Sequence, residues 1–298
     1  MGICDGRVVI VTGAGRGLGR AHVLEFAREG AAVVVNDLGV ERDGTGGGSA
    51  PAHEVVEQIK GMGGQAIANG ADVADWRQVE AMIAEAVSTF GRLDTLVNNA
   101  GFLRDRMLAN MSEEEWDAVV RVHMKGHFVP ARHAIAYWRD QSKAGNEVVG
   151  RVINTSSGAG LLGSVGQGNY AAAKAGIAAM TVQEAAEWGR YGVLVNAIAP
   201  DARTRMTEGV FYSGDAPEGW DEKDPANVSP LVVWLGSALC DVTGRVFEVW
   251  GGHISVADGW QHGRAHEIGR KYAPAEVGDA VHDVIAKAPA PGPVYGAQ

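Results

Sequence analysis

The sequence predicts an α/β chain built on a doubly wound parallel sheet of seven strands, with helices on both faces. Three observations carry that expectation. Short apolar runs recur along almost the whole chain, helix-length amphipathic segments separate them, and the first run leads directly into a glycine-rich turn. Strands covered on both faces need continuous apolar runs, and strand–helix alternation is the pattern of a parallel sheet closed by crossover helices.

Taken in order, Val8-Val9-Ile10-Val11 is the first strand, followed by the turn Thr12 to Gly19 and a helix over 18–29. Ala32 to Val35 is the second strand. The glycine-rich loop Leu38 to Ala50 after it is longer than ordinary strand–helix connections. A helix over 51–62, a strand at Ala66-Ile67-Ala68, a helix over 76–90 and a strand at Leu93 to Val97 complete the first half. A long helix over 113–141 opens with Ser112-Glu113-Glu114-Glu115, which has the residues of a capping box. Val152 to Thr155, a helix over 168–190 and Val193 to Ile198 follow. Pro200 to Pro225 is polar and proline-containing and reads as a mobile lid, with a helix over 227–239 and the strand Val246 to Val249 after it. The tail from Gly251, with a helix candidate over 275–287 and Ala-Pro-Ala-Pro-Gly-Pro near its end, reads as a surface extension. No composition shift marks a boundary, so residues 1–298 read as one catalytic domain, with a core of about 5–252 and an extension over 253–298.

Composition narrows the function. A net charge of −10 argues against nucleic acid and against an anionic membrane surface. No stretch approaches the ~20 apolar residues of a membrane helix, and the first apolar run is too short for a signal peptide. Cys4 and Cys240 have no metal-ligand or CxxC spacing and read as free thiols, consistent with a cytoplasmic protein that holds no metal.

Five groups of residues carry chemistry. In the first turn Gly13, Gly15, Gly17 and Gly19, with Arg16 and Leu18, allow close backbone approach and present a helix N-terminus to a pyrophosphate. Asp37, followed by Leu38, ends the second strand, where a carboxylate accepts hydrogen bonds from adenosine ribose hydroxyls and repels a 2′-phosphate; that favours NAD over NADP, although Arg16 pulls the other way. Asp72-Val73 after the third strand can reach an adenine amino group. Asn99-Ala100-Gly101 lies at the strand ends where α/β folds bind ligands. Finally, Tyr170 and Lys174 stand at i and i+4 on one helix face among alanines and glycines, with Ser157 thirteen residues upstream. A neighbouring ammonium favours the phenolate and makes the tyrosine oxygen usable as an acid or base.

Together these motifs resemble the short-chain dehydrogenase/reductase family, and the similarity spans about residues 5–252. Asn36 to Gly39, Leu103 to Arg106, Val122 to Gly126 and Ile198 to Pro200 resemble the (3R)-hydroxyacyl-CoA dehydrogenase portion of peroxisomal multifunctional β-oxidation enzymes. Ser156 to Lys174 and Thr243 to Val249 are similar to actinobacterial hydroxyacyl-CoA dehydrogenases of steroid side-chain β-oxidation. The resemblance implies a Rossmann-like fold. It makes Tyr170 the base, Lys174 the partner of the nicotinamide ribose that lowers the tyrosine pKa, and Ser157, rather than its neighbour Ser156, the group that hydrogen-bonds the substrate oxygen. It also implies hydride transfer to NAD, cofactor contacts at Pro200 and Thr204, and a homodimer or homotetramer packed through the helices over 113–141 and 168–190.

Two departures stand out. His123 occupies the position where the family usually has an asparagine, at a helix distortion that holds a relay water; the histidine either joins that relay or packs there. Asp201-Ala202-Arg203-Thr204 replaces the usual Pro-Gly. Arg104, Arg106, Arg203 and Arg205 flank the expected site and are candidates for the phosphates of an acyl-CoA thioester, against the plainer reading of solvated loop charge. Trp138, Trp188 and Trp250 read as core or subunit contacts. The expected reaction is NAD-dependent oxidation of a 3-hydroxyacyl-CoA, with a steroid-bearing acyl group as one form. An NADPH-dependent 3-oxoacyl carrier-protein reductase, a hydroxysteroid dehydrogenase and an NAD-binding sensor are the alternatives.

Overall fold

The computed structural model describes residues 2–297 apart from 42–43, 205–206, 208–211, 213–216 and 258. Its elements are β1 (Val8–Thr12), α1 (Gly17–Arg28), β2 (Ala32–Asn36), α2 (Ala50–Gly61), β3 (Gln65–Asn69), α3 (Trp76–Phe90), β4 (Thr95–Asn98), α4 (Glu113–Val120), α5 (Gly126–Lys143), β5 (Gly150–Thr155), α6 (Gly158–Leu162), α7 (Gly168–Trp188), β6 (Val193–Pro200), α8 (Ser229–Gly236), β7 (Val246–Trp250), β8 (His253–Val256) and α9 (Val277–Ala286). The sheet order is β3-β2-β1-β4-β5-β6-β7-β8, parallel throughout except at the β7–β8 edge.

The continuous apolar runs serve both faces. Val9, Val11, Val33, Val35 and Ile153 pack with α1, α2 and α8, while Ile10, Val34, Leu96 and Val152 point the other way and pack with α3 and α5. Strand order reverses between β1 and β4, so the loops after these two strands diverge and open a crevice at their carboxyl ends. The functional motifs lie there.

The seven-strand expectation is corrected to eight. β8 forms a hairpin with β7 across Gly251-Gly252, Gly251 having φ +46°. Its polar residues His253 and Ser255 hide the strand from a search for apolar runs. The helix expected over 113–141 is also not one regular helix. Ser112 and Glu115 form the capping box, but Arg121–Lys125 is a π-helical segment between α4 and α5. Pro130 has no N–H to return to the Gly126 carbonyl, so an unbroken α ladder is impossible just beyond this segment. The helix expected over 227–239 shortens to α8, which follows one 3₁₀ turn. α6 escaped detection because five residues rich in glycine carry no periodicity.

Trp138, buried in the α3–α5 face, donates its indole N–H to the Leu93 carbonyl at 2.7 Å and so fixes α5 to the start of β4. Trp138→Ala removes a large buried ring and orphans that carbonyl. Urea unfolding is expected to show a loss of about 3–5 kcal/mol.

Candidate active site

The β1–α1 turn is held from the other side of the crevice. The Thr12 hydroxyl accepts the Asn99 and Ala100 N–H groups at 2.9 and 3.1 Å, and the Asn99 amide donates to the Thr12 and Gly13 carbonyls at 3.0 and 3.1 Å. Asn99 therefore shapes the turn as well as lining the cavity. Gly13 has φ +63° and its position admits no Cβ, which would stand 2.7 Å from the Ala100 Cα. Asp37 accepts the Gly15 and Gly39 N–H groups at 2.7 and 2.6 Å, one per carboxylate oxygen, so its charge is fixed at the end of β2. Arg16 faces Glu41 at 3.7 Å across solvent.

Gly13, Arg16, Asp37, Asn99 and Ala100 line a cavity of about 370 Å³ with Gly17, Leu18, Leu38, Asp72, Val73, Gly101 and Thr204. The turn fits a dinucleotide pyrophosphate, because it brings bare backbone and the N-terminus of α1 to one wall. Asp72 is pinned by Arg121 at 2.6 Å and by the Ala74 N–H at 2.9 Å.

A second cavity of about 480 Å³ shares Leu18, Asn99, Gly101 and Thr204 with the first, and holds Ser157, Tyr170, Lys174 and Pro200. Tyr170 and Lys174 project from α7, with the Lys174 Nζ 5.5 Å from the tyrosine ring centre. Lys174 is 2% exposed and donates to the Thr155 carbonyl at 2.6 Å. Burial lowers its pKa to about 7. Burial raises the Tyr170 pKa, a hydrogen bond with Ser157 lowers it, and the Asp105 charge raises it. The lysine expected to depress the tyrosine pKa is thus itself less firmly charged, which weakens it as a stabiliser of the phenolate, and the neighbouring serine supplies the opposing effect. Ser156 spends its hydroxyl on the Lys174 carbonyl at 2.8 Å, which leaves Ser157, the N-cap of α6, as the serine bonded to the tyrosine.

His123 lies on the π segment, where the widened register turns it inward. It is buried, its ring meets the Tyr170 ring edge-on at 5.1 Å, and Nε2 lies 2.8 Å from the Phe102 carbonyl. Burial and the Lys174 charge lower its pKa to about 3, so it works as a neutral imidazole. No described protein group pairs with its Nδ1.

The arginines are dispersed. Arg104 lines the first cavity over the Phe102 ring, Arg106 pairs with Glu115 at 3.0 Å, and Arg203 pairs with Asp221 at 3.4 Å. Arg205, with part of the expected lid, lies outside the described residues. Trp138 is core, but Trp250, read from the sequence as a core or subunit contact, lines the second cavity, where Lys223 stands 5.0 Å from its ring centre. The sequence reading also missed Leu103, Tyr212, Glu248 and Tyr295 as lining residues. They come from separated loops and strands with no shared spacing.

Comparison with known proteins agrees with this geometry. The family described as short chain dehydrogenase matches residues 7–211. A hydroxyacyl-CoA dehydrogenase, ChsB1 of Mycobacterium tuberculosis, is 46% identical over 95% of this chain and 89% of its own length. The mouse peroxisomal multifunctional enzyme type 2 is 45% identical over 84% of this chain, but the match spans only 32% of that longer protein. A crystal structure of a short chain dehydrogenase from Mycobacterium avium superposes with a TM-score of 0.90 at 64% identity, covering 99% of this chain and 100% of the other. The chain belongs to the short-chain dehydrogenase family.

The packing of His123 makes one glycine critical. A Cβ at Gly101 would stand 2.2 Å from the imidazole Cε1. Gly101→Ala is expected to cost about 1–3 kcal/mol by overpacking. In a double-mutant cycle read by urea unfolding, adding His123→Ala should restore part of that loss.

Proposed function

We propose that this short-chain dehydrogenase oxidises a 3-hydroxyacyl-CoA to the 3-oxoacyl-CoA with NAD as cofactor, and that the acyl group is bulky, of the kind a steroid side chain provides. The observation that carries this reading is the Ser157–Tyr170–Lys174 cluster opening on a roomy cavity walled by Leu103, Tyr212 and Trp250, adjoining the glycine-turn cavity. Large aromatic and apolar side chains beside the polar cluster suit a large apolar group presented to the hydride-transfer site. The name of the M. tuberculosis relative accords with the thioester.

Each side chain has a role in that reaction. Tyr170 Oη takes the proton of the substrate hydroxyl, and Ser157 Oγ hydrogen-bonds the same oxygen as it gains carbonyl character. Lys174 Nζ keeps the phenolate favourable and binds the nicotinamide ribose, while Gly13, Gly17, Asp37 and Asn99 hold the rest of the dinucleotide site. NAD, when bound, supplies the hydride acceptor. His123 positions the Phe102 loop against Tyr170 as a neutral ring.

Asp37 supports NAD over NADP, because two backbone N–H groups hold its charge where a 2′-phosphate would lie, and Arg16 is already met by Glu41. The phosphates of coenzyme A are assigned to Arg104, Arg106, Arg203 and Arg205; Arg106 and Arg203 would have to exchange a carboxylate partner for phosphate. A homodimer or homotetramer in the cytoplasm completes the proposal. Exposed Trp116, Met124, Phe128 and Val182 on the α4–α5 and α7 surfaces suit a subunit contact.

The test is NADH formation across 3-hydroxyacyl-CoAs of increasing bulk, with NADP and free hydroxysteroids in parallel. Turnover with NAD and thioesters, abolished in Tyr170→Phe, is the expected result. A preference for NADPH and carrier-protein thioesters would favour the reductase alternative, turnover of free steroids alone would favour the hydroxysteroid dehydrogenase, and NAD binding without turnover would favour a sensor.

The pH dependence follows from the tyrosine. Oxidation needs the phenolate, so kcat/KM falls as pH drops below the Tyr170 pKa. Ser157→Ala removes the hydrogen bond that lowers that pKa, so the acid limb moves to higher pH. The same variant loses a donor to the reacting oxygen, at a cost of about 10²–10³ in kcat. A pH–rate profile of wild type and variant measures both effects.

A further inference from the structure

The extension beyond β7 was expected to be a surface appendage, and its last residues return to the active site instead. Ser164 and Tyr295 form a parallel bridge, in which the Val165 N–H donates to the Tyr295 carbonyl at 2.9 Å and the Tyr295 N–H donates to the Gly163 carbonyl at 3.2 Å. Gly163, at φ +83°, bends the chain after α6 so that Val294 packs over it, 3.3 Å from where a Cβ would stand. Leu162 packs in the same way against Gly292, 2.7 Å from the Cβ position there. Two backbone hydrogen bonds and two apolar contacts thus fix the tail to the segment that begins at Ser157.

This docking sets the Tyr295 side chain on the backbone of Gly158, the residue after Ser157. A Cβ at Gly158 would stand 2.9 Å from the Tyr295 Oη and 3.1 Å from its Cε2. The ring therefore forms part of the wall of the cavity that holds Ser157 and Tyr170, with Trp250 and Glu248 also on that wall. Burial and the charges of Glu248 and Asp201 raise the Tyr295 pKa, so the ring presents a neutral hydroxyl and an apolar face. The tail lies beyond the residues matched to the family, 7–211.

We propose that Tyr295, held by the docked tail, is a specificity-determining residue that selects substrates carrying a large apolar group next to the reacting carbon. The inference rests on the dehydrogenase reading above and deepens it. Selection works by contact area: a broad ring system lies against the tyrosine face and buries it, whereas a short acyl chain covers little of it. The residue takes no part in proton or hydride transfer, so its effect belongs in KM and depends on substrate size.

The experiment compares full-length wild type, Tyr295→Ala and Tyr295→Phe on two alcohol series, hydroxyacyl-CoAs from short to ring-bearing and free hydroxysteroids from small to large. On whichever series the wild type oxidises, Tyr295→Ala should raise KM for the bulkiest member by about tenfold. It should leave kcat, the smallest substrate and the KM for NAD within about twofold of wild type. Tyr295→Phe, which keeps the ring, should follow wild type. An equal loss across the series, no loss, or a gain for bulky substrates would overturn the proposal. Turnover of free steroids but not thioesters would overturn the thioester reading instead, while the size dependence still decides the role of Tyr295.

Discussion

The site depends on keeping a lysine side chain out of water. Lys174 is almost fully buried, and a buried ammonium is costly unless hydrogen bonds and nearby charge compensate for lost solvation. Here the Thr155 carbonyl accepts one hydrogen bond at the end of β5, and burial brings the amine pKa down to about 7. Burial thus weakens the preference for the charged form, and groups that hydrogen-bond the ammonium, such as ribose hydroxyls, would restore it. The surrounding packing serves this end. Gly160 lets α6 approach α7 so closely that a Cβ would stand 2.6 Å from the Lys174 backbone, and Ser156 ties that backbone to the end of β5.

The π segment performs the complementary task on the opposite wall. A regular helix through residues 121–125 would present a different set of side chains to the cavity, because the extra residue per turn shifts everything on one side of it. With the bulge, His123 reaches the Phe102 loop and the edge of Tyr170, while Gly126 passes so near Val73 that a Cβ would stand 2.6 Å from its methyl. Of the two roles open to it in the sequence, packing is visible in its contacts, and the lowered pKa bears on the relay. As a neutral ring it holds the loop by hydrogen bonding, and an imidazolium that carries protons by changing charge is disfavoured by both burial and Lys174.

Much of this was legible in the chain because its signals are local. The glycine turn, the carboxylate that ends β2, the capping box at Ser112 and the i, i+4 pair at Tyr170 and Lys174 each lie within a few residues, and local spacing is what periodicity and turn chemistry record. What escaped is assembled from distant segments. Thr12 reads as the first residue of the glycine turn, and its hold on the Asn99 N–H is visible only once β4 lies beside β1; Trp250 resembles any edge-strand aromatic until β7 is placed beside β6. β8 failed for another reason: its alternation of polar and apolar residues is correct for an edge strand, but the search was for the continuous apolar runs of interior strands. The arginines near the site were visible, yet the carboxylates opposite them, Glu115 and Asp221, became visible only in three dimensions.

The acidic residue at position 201 shows how the substrate wall differs from the cofactor wall. On the cofactor side carboxylates are held by backbone N–H groups, so Asp37 keeps its charge available to a hydroxyl-bearing ligand. On the substrate side the half-exposed Asp201 is met by side chains: the Tyr212 hydroxyl donates to one oxygen and Lys223 stands 2.8 Å from the other, with the lysine also over the Trp250 ring. A carboxylate neutralised in this way no longer repels an anionic substrate, and it ties the segment after β6 to the end of β7. The charge is thereby spent on shaping an aromatic wall rather than on recognition. The paired carboxylate at the turn after β6 and the aromatic tail over Gly158 are two independent means to one result, aromatic surface from Trp250, Tyr212 and Tyr295 beside the Ser157–Tyr170–Lys174 cluster, with polar residues such as Glu248 and Gln167 also on the lining. Aromatic surface of this kind favours selection by shape and apolar area, since it offers a bulky group contact without asking it for a hydrogen bond.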